Sequence, residues 1–209
     1  MINKVAIVWD DGLVSDLELI DFLRKNKIKS SFALSPNVYK NIRTPNDYRN
    51  KIYGQRISKY EMKEFKGFEI INHTANHPDL QYCNYEKTLD EISIGKTMLE
   101  DIFQENIFGF CYPYGCTNDH TELILRNYHQ FARTTKQEKN FSPQNLFKLP
   151  VFGKWNEIES LQDFSIIWGH TYEIKSIDRI KKIYQKLQEN SQILFLFELI
   201  KEYKSKNQI

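Results

Sequence analysis

The sequence predicts an α/β fold built on a largely parallel sheet. Short runs rich in apolar and β-branched residues alternate about seven times with segments whose apolar residues recur at helical spacing. No internal repeat, low-complexity tract or break in composition interrupts this alternation. The 209 residues, 41% of them hydrophobic, suffice for one large domain, residues 1–209, with a substantial core. The order of elements is compatible with an open doubly wound sheet and with a barrel.

The first third of the chain contains three predicted strands, at residues 5–9, 31–34 and 68–71. The first helix is predicted to begin at Ser15, where Glu18 completes a capping box, and Ser58 with Glu61 forms a second box. Residues 36–54 are polar and are expected to form a long surface loop.

The rest of the chain begins with the strongest helical pattern, over residues 85–103, whose apolar side is Leu89, Ile92, Leu99 and Ile102. Asn118 and Ser176 are predicted to cap two further helices. Strands are expected at residues 108–112, 130–134, 146–152, 164–168 and 193–197.

Charge and hydropathy exclude several classes of function. The 29 Lys+Arg and 27 Asp+Glu leave a net charge of +2, so we expect neither a nucleic-acid nor a membrane-surface partner. No apolar run approaches the roughly 20 residues of a membrane span. The apolar run at residues 5–9 is too short for a signal peptide. The chain is therefore expected to be cytoplasmic, or secreted if a leader has been removed.

The chain has three cysteines, Cys83, Cys111 and Cys116. Because this number is odd and low, we do not expect a disulfide framework. The spacing of Cys111 and Cys116 differs from that of metal-binding pairs, and we expect buried thiols. His120 and His129 lie away from predicted strand ends and are expected to be ordinary surface or packing residues.

Reactive side chains follow the predicted strands at the points where those strands end. Asp10 and Asp11 follow the first strand, His73 and His77 the third, and His170 a late one. Because the carboxyl ends of parallel strands meet at one face, we expect these side chains to lie together. A carboxylate with two imidazoles suits a catalytic divalent ion and leaves room for water. A second carboxylate and a third imidazole would then serve as base and acid.

Four motifs in this order resemble those of the polysaccharide deacetylases of the NodB-homology group, carbohydrate esterase family 4. The motifs are VWDDG at residues 8–12, HTANHP at 73–78, CYPYG at 111–115 and WGH at 168–170. The resemblance spans about residues 5 to 200. It implies a distorted (β/α)7 TIM-like barrel and metal-dependent removal of an N-acetyl group from an amino sugar, oligosaccharide or polysaccharide.

The resemblance also implies a role for each matching residue. Asp11, His73 and His77 would hold the metal, most readily Zn²⁺, with Co²⁺, Mn²⁺ and Ni²⁺ as alternatives. Asp10 would be the general base and His170 the acid for the departing amine.

The third and fourth motifs are expected to serve the reacting carbonyl and the sugar. The backbone N–H of Tyr114 would help to stabilise the oxyanion. Tyr112, Pro113 and Trp168 are the expected substrate-binding residues, with Trp155 as an alternative aromatic wall.

The chain departs from the family pattern where Cys111 replaces the arginine that usually pairs with the base aspartate. We expect Arg133, at the end of the strand predicted at residues 130–134, to supply this cation from a neighbouring strand. A fourth family motif of the type Asp-x-x-Asp-Trp is absent.

Two other functions stay open at this point. Related barrels hydrolyse small cyclic amides or ureides such as allantoin-like compounds, and a closed loop over residues 36–54 would favour such a substrate. A catalytically silent carbohydrate-binding relative is the third possibility, which the Cys111 departure supports and the retained Asp and His residues oppose.

Overall fold

The fold, in a computed structural model that describes residues 2–48, 51–156, 161, 163–174 and 176–208, is a near-closed barrel of parallel strands. The ring is formed by β1 (Asn3–Asp10), β2 (Ser31–Leu34), β5 (Glu69–Asn72), β6 (Gly109–Cys111), β7 (Phe131–Gln137), β8 (Leu149–Val151), β9 (Gly153–Lys154) and β10 (Phe164–Gly169). Their order is β8-β7-β6-β5-β2-β1-β10-β9. The predicted strand positions are thus confirmed to within a few residues.

The ring closes through one kinked segment, because β9 follows β8 after Phe152 alone. β8 pairs with β7 and β9 pairs with β10, while the Phe152 N–H donates to the carbonyl of Ile166 in β10 at 2.8 Å. Counting β8 and β9 as one, the described residues provide seven strand positions around the ring, which agrees with the predicted (β/α)7 barrel.

The central strand β1 is bonded along both edges. One edge pairs with β10, and the other pairs first with β11 (Ser191–Leu194) and then with β2. Its side chains alternate between two hydrophobic clusters. Val5, Ile7 and Trp9 pack with the flanking helices, whereas Ala6 and Val8 belong to the cluster that contains Ala33 and Ile71.

Helices flank the barrel at α1 (Val14–Lys25), α2 (Tyr85–Phe103), α3 (Asp119–Tyr128), α4 (Ile177–Asn190) and α5 (Leu196–Asn207). The α2 helix has the predicted bounds because Asn84 accepts a bond from the Lys87 N–H, although Ile102 on its predicted apolar side is 42% exposed. Asn118 and Ser176 cap α3 and α4 as expected. No helix within the described residues is both long enough and apolar enough to span a bilayer.

Two predicted boundaries of helices are wrong. α1 begins at Val14 and not at Ser15, because the Leu13 N–H donates to Asp16, while Ser15 bonds the hydroxyl of Thr171 instead. The last predicted strand, residues 193–197, stops at Leu194, and the following residues enter α5. The half-buried carboxylate of Glu69 accepts hydrogen bonds from the first two N–H groups of that helix.

The segment predicted as a loop at residues 36–54 is also structured. A 3₁₀ turn at Pro36–Val38 precedes an antiparallel hairpin of β3 (Thr44–Tyr48) and β4 (Lys51–Arg56), which forms a two-stranded sheet separate from the barrel. Likewise, a 3₁₀ turn at Leu146–Lys148 replaces the first part of the strand predicted at residues 146–152. All three cysteines are free thiols, of which Cys111 is buried and Cys83 and Cys116 are half-buried. The expectation of a buried thiol is therefore wrong for Cys116.

Candidate active site

The polar strand-end residues lie around one cavity of about 410 Å³ at the carboxyl ends of the barrel strands. Its lining includes Asp10, Asp11, His73, His77 and His170, the five residues that the sequence singled out. The parallel strands bring them together because β1, β5 and β10 all end at this face. His120 and His129 do not line the cavity.

The backbone around the cavity is strained at several positions. Asp11, Thr74, His77 and Tyr114 have φ angles of 82°, 67°, 59° and 59°, in the left-handed region that favours glycine. Each such residue costs on the order of 1–3 kcal/mol unless its surroundings enforce it. The barrel loops therefore hold these four residues in conformations that the chain alone would avoid.

Asp11, His73 and His77 point one ligand atom each at a common centre. The two Nε2 atoms lie 3.1 Å apart, and Asp11 Oδ1 lies 3.7 Å from His73 Nε2 and 3.3 Å from His77 Nε2. Atoms that share one ion at about 2.0–2.2 Å are expected to lie roughly 3.0–3.7 Å from one another. The donor set therefore fits a divalent metal, and it is the one group of three such residues found within the described part of the chain.

The outer nitrogens of both imidazoles have hydrogen-bond partners, so that each Nε2 faces the common centre. His73 Nδ1 lies 2.8 Å from the carbonyl oxygen of Cys111, which can only accept a hydrogen bond, so Nδ1 carries the proton. His77 Nδ1 lies 3.2 Å from the hydroxyl of Tyr114. Burial and the neighbouring His77 lower the pKa of His73 to about 4, so its imidazole is neutral, as a metal ligand must be.

The loop that carries the two histidines is fastened to α2. The Glu91 carboxylate is almost fully buried and accepts bonds from the backbone N–H and side-chain amide of Asn76, at 2.8 and 2.9 Å. Gly95 lies one turn further along the helix, where an added Cβ would stand 2.6 Å from Asn72 Oδ1 and 2.8–2.9 Å from the backbone of Thr74 and Ala75. The position of the histidine loop therefore depends on the close approach of α2 to the backbone of Thr74 and Ala75.

Asp10 forms a buried ion pair with Arg133. The guanidinium Nη2 donates to both carboxylate oxygens at 2.5 and 2.7 Å, and the two side chains are 5% and 0% exposed. Arg133 in β7 is the register partner of Cys111 in β6. Arg133 thus lies one strand away from Cys111, the position at which the NodB-homology motif has its arginine. Its side chain extends across the barrel to Asp10. Although burial disfavours the charge, Asp10 holds the pKa of Arg133 above its ordinary value.

His170 lies next to the group formed by Asp11, His73 and His77. Its Nε2 is 3.6 Å from Asp11 Oδ2, and its Nδ1 is 3.4 Å from Glu173 Oε1, which also pairs with Lys154. Burial alone would lower the pKa of His170, but the hydrogen bond to Glu173 and the nearby carboxylates raise it above its ordinary value. These contacts favour the charged imidazole more than water does, which suits a proton donor.

The residues that were expected to bind substrate differ in how far they are exposed to the cavity. Trp168 lines the cavity and is half-buried. Tyr112 reaches the cavity wall, but its side chain is 1% exposed and its hydroxyl donates to the carbonyl of Phe147. Pro113 is buried at the start of a 3₁₀ turn and is not part of the lining. Trp155 is buried, packs under Gly169 and is not part of the lining, so it is placed to pack the loop and not to contact a sugar.

Several lining residues escaped the sequence analysis. Four come from the hairpin of β3 and β4, and the other three come from β9 and from the loop that follows β10: Asn46, Asp47, Tyr53, Arg56, Lys154, Tyr172 and Glu173. The hairpin gave no signal because its strands lack apolar alternation. Tyr172 and Glu173 directly follow His170, and that proximity was the available signal.

A comparison with family models finds one match, to the polysaccharide deacetylase family over residues 2–130, more than half of the chain. No curated protein matches the chain.

Solved structures with the same fold include members of carbohydrate esterase family 4, at low sequence identity. A family 4 pseudoenzyme from Bacillus anthracis aligns with a TM-score of 0.69 at 13% identity, over 94% of this chain and 65% of its own. The family 4 domain of a multidomain xylanase from the hindgut metagenome of Trinervitermes trinervoides gives 0.67 at 15%, over 97% and 92%. The family 4 esterase from Streptomyces lividans, in complex with acetate, gives 0.63 at 16%, over 92% and 91%.

Proposed function

The chain belongs to the polysaccharide deacetylase family, and from that premise we propose that it is a metal-dependent hydrolase that removes an N-acetyl group from an amino sugar. Family membership supports deacetylation of an acetylated carbohydrate in general terms. The observation that carries the finer proposal is the set of three ligand atoms 3.1–3.7 Å apart, with Asp10 and His170 lining the same cavity.

Asp11, His73 and His77 are the proposed metal ligands, and Zn²⁺ fits their oxygen and nitrogen donors best, with Co²⁺, Mn²⁺ and Ni²⁺ as alternatives. The bound ion would supply Lewis acidity, which lowers the pKa of water and polarises the acetyl carbonyl. The neutral state of His73 and the ionised state of Asp11 match this role, since His77 and the other imidazoles hold the pKa of Asp11 below its ordinary value despite burial.

Asp10 is the proposed general base. Its carboxylate takes the proton of the attacking water at an oxygen, while Arg133 holds that carboxylate in place through two short bonds. Arg133 is therefore a positioning residue for Asp10, and it restores the cation that Cys111 cannot provide.

His170 is the proposed acid. Its Nε2 gives a proton to the departing amine, and Glu173 keeps the imidazolium available and oriented from Nδ1. The backbone N–H of Tyr114, in the strained turn at Pro113–Gly115, is the proposed donor to the oxyanion. Trp168 would contact the sugar from the cavity wall.

The test combines metal analysis with acetate release from acetylated amino sugars. The wild type should bind one divalent ion and release acetate. His73→Ala and His77→Ala should both lose the ion, whereas Asp10→Asn should keep it and lose about 10²–10⁴-fold in kcat. His120→Ala is the matched control, which should retain both properties because His120 lies outside the cavity. Full activity of Asp10→Asn would contradict the base assignment.

Hydrolysis of a small cyclic amide or ureide is a second candidate, favoured by the hairpin of β3 and β4 along one side of the cavity. Ring opening of allantoin-like compounds, without acetate release from any sugar, would support it. Stoichiometric metal with neither reaction would instead support a catalytically silent binding protein.

A further inference from the structure

The hairpin of β3 and β4 is fastened to the loop that carries Asp10 and Asp11. At its base, Arg56 forms a β-bridge with Leu13, and the Ile57 N–H donates to the carbonyl of Gly12 at 3.2 Å. Ahead of the hairpin, the Tyr39 hydroxyl donates to the carbonyl of Asp11 at 3.0 Å. The hairpin therefore stands at a fixed position relative to the reacting groups.

On its other side, the hairpin meets the loop that follows β10. The rings of Tyr53 and Tyr172 lie 5.2 Å apart, and Tyr172 stacks on His170 at 4.9 Å and 24°. Gly54, with φ of 82°, brings the hairpin backbone against Tyr172, since a Cβ there would stand 3.6 Å from the Tyr172 Cβ. Together these contacts make an aromatic wall that is continuous with the proposed acid.

The hairpin also presents polar groups to the cavity. Asn46 is 3% exposed and accepts a bond from Arg56 Nε at 3.1 Å, and both residues line the cavity with Asp47. Amide, guanidinium and carboxylate groups are the partners that sugar hydroxyls need, whereas aromatic faces suit the C–H surface of a sugar ring. The hairpin and the aromatic wall thus offer both halves of a sugar-binding surface.

Residues from all around the mouth of the barrel line the cavity. Each of the seven strand positions, or the loop that follows it, contributes lining residues among those described. The volume of about 410 Å³ is near the lower end of the roughly 300–1,000 Å³ range of ligand pockets. A site for the interior of a polymer needs two open ends through which the chain can continue, and the contact between Tyr53 and Tyr172 closes one side of this cavity.

We propose that the hairpin makes this site a pocket for one terminal acetylated amino sugar, on a mono- or disaccharide or at a chain end, and not for an interior unit. Asn46, Asp47 and Arg56 bond the hydroxyls of that sugar, and Tyr53 with Tyr172 forms its aromatic wall. This inference rests on the proposed deacetylase function and specifies its substrate class.

The test is a length series of N-acetylglucosamine oligomers, from monomer to hexamer, with mass-spectrometric location of each freed amine. We expect the kcat/KM of the monomer or dimer to lie within about threefold of that of the hexamer, and a free amine at a terminal unit only. A rise in kcat/KM of about tenfold or more between dimer and tetramer, or amines at interior units, would overturn the inference.

Tyr53→Ala opens the wall, and it should lower kcat/KM for the dimer relative to the hexamer by about threefold to tenfold. Tyr82→Ala is the matched control, because Tyr82 is 82% exposed and lies away from the cavity. An unchanged length profile in a folded Tyr53→Ala variant would count against the wall.

A binding measurement separates failure of this inference from failure of the proposed function. The Asp10→Asn variant, loaded with Zn²⁺, is titrated with dimer and hexamer by calorimetry. Equal affinities support a terminal pocket, and a hexamer that binds about tenfold tighter refutes it. If the wild type releases acetate from no oligomer, the deacetylase proposal fails, while the titration still decides the shape of the site.

Discussion

Replacing Arg133 should reveal how strongly the proposed base is coupled to the stability of the barrel. The guanidinium and the Asp10 carboxylate are both buried, with two N–O contacts of 2.5 and 2.7 Å. Arg133→Met removes the cation and leaves the carboxylate buried without its partner.

Breaking one side of a buried ion pair costs about 3–5 kcal/mol. That loss is a large share of the roughly 5–15 kcal/mol that stabilise a typical domain, and it corresponds to a fall in Tm of roughly 6–20 °C. Asp10→Asn should cost a similar amount, because it leaves the guanidinium charge uncompensated. The double variant, Arg133→Met with Asp10→Asn, should lose clearly less stability than the two single variants together. Its remaining penalty is one buried, unsatisfied amide, which costs about 1–3 kcal/mol.

The assay is urea unfolding of the wild type, both single variants and the double variant in EDTA, so that metal binding does not contribute. We expect a coupling free energy of at least about 2 kcal/mol. Arg133→Lys keeps the positive charge but loses the guanidinium contact with both carboxylate oxygens. Its free energy of unfolding should lie between those of the wild type and Arg133→Met. Additivity of the two substitutions within about 0.5 kcal/mol would refute the reasoning.

Three further predictions concern the supports of the site. Gly95→Ala should destabilise the protein by about 1–3 kcal/mol and weaken metal binding, because the new Cβ would stand 2.6 Å from Asn72 Oδ1; urea unfolding and metal titration measure the two effects. Glu91→Gln should weaken metal affinity about 10–100-fold and destabilise the protein by about 1–3 kcal/mol, because the amide nitrogen that replaces one carboxylate oxygen cannot accept a bond from Asn76; competitive chelator titration and urea unfolding measure the two effects. Burial, together with the nearby positive charge of a lysine, lowers the pKa of His129 to about 3, so stability is complete above the unfolded pKa near 6.5 and is lost as pH falls toward 3. His129→Gln should remove up to about 1.4 kcal/mol per pH unit of this slope between pH 6 and 4, as measured by unfolding at several pH values.

Matched controls lie on the same elements. Ser93→Ala removes one bond within α2 without adding bulk, and Glu86→Gln changes an exposed carboxylate of the same helix. His120→Gln removes a half-buried histidine in α3. These variants are the controls for Gly95→Ala, Glu91→Gln and His129→Gln, respectively. If a control shows the same effect as the variant it is matched to, the cause assigned to that effect is wrong.

The fold could be predicted where the buried face of an element gives its sequence a regular spacing of apolar residues. α2 has the predicted bounds because its apolar spacing and the Asn84 cap agree. The hairpin was missed because β4 exposes most of its side chains, so no alternation marks it. The start of α1 was misplaced because the carboxylate of Asp16, buried against Thr171, caps the helix in place of Ser15.

The site could be predicted as a set of residues but not as a geometry. Strand ends identified Asp10, Asp11, His73, His77 and His170, since local sequence marks where each strand stops. The contact between Asp10 and Arg133 was expected as a replacement for the arginine missing at Cys111. The register that sets Arg133 beside Cys111 and the reach across the barrel follow only from three-dimensional pairing.

The pairing of β1 has a consequence for how the chain folds during synthesis. One edge of this apolar strand is completed by β10, in which Phe164 pairs with Lys4 across 160 residues, and part of the other edge is completed by β11. At about 5–20 residues per second, the ribosome needs roughly 8–32 s to supply that partner. Until then an aggregation-prone edge stays open, and the turn that bears both aspartates has no finished barrel to hold it. Chaperone dependence and slow, non-local folding are therefore expected of this chain.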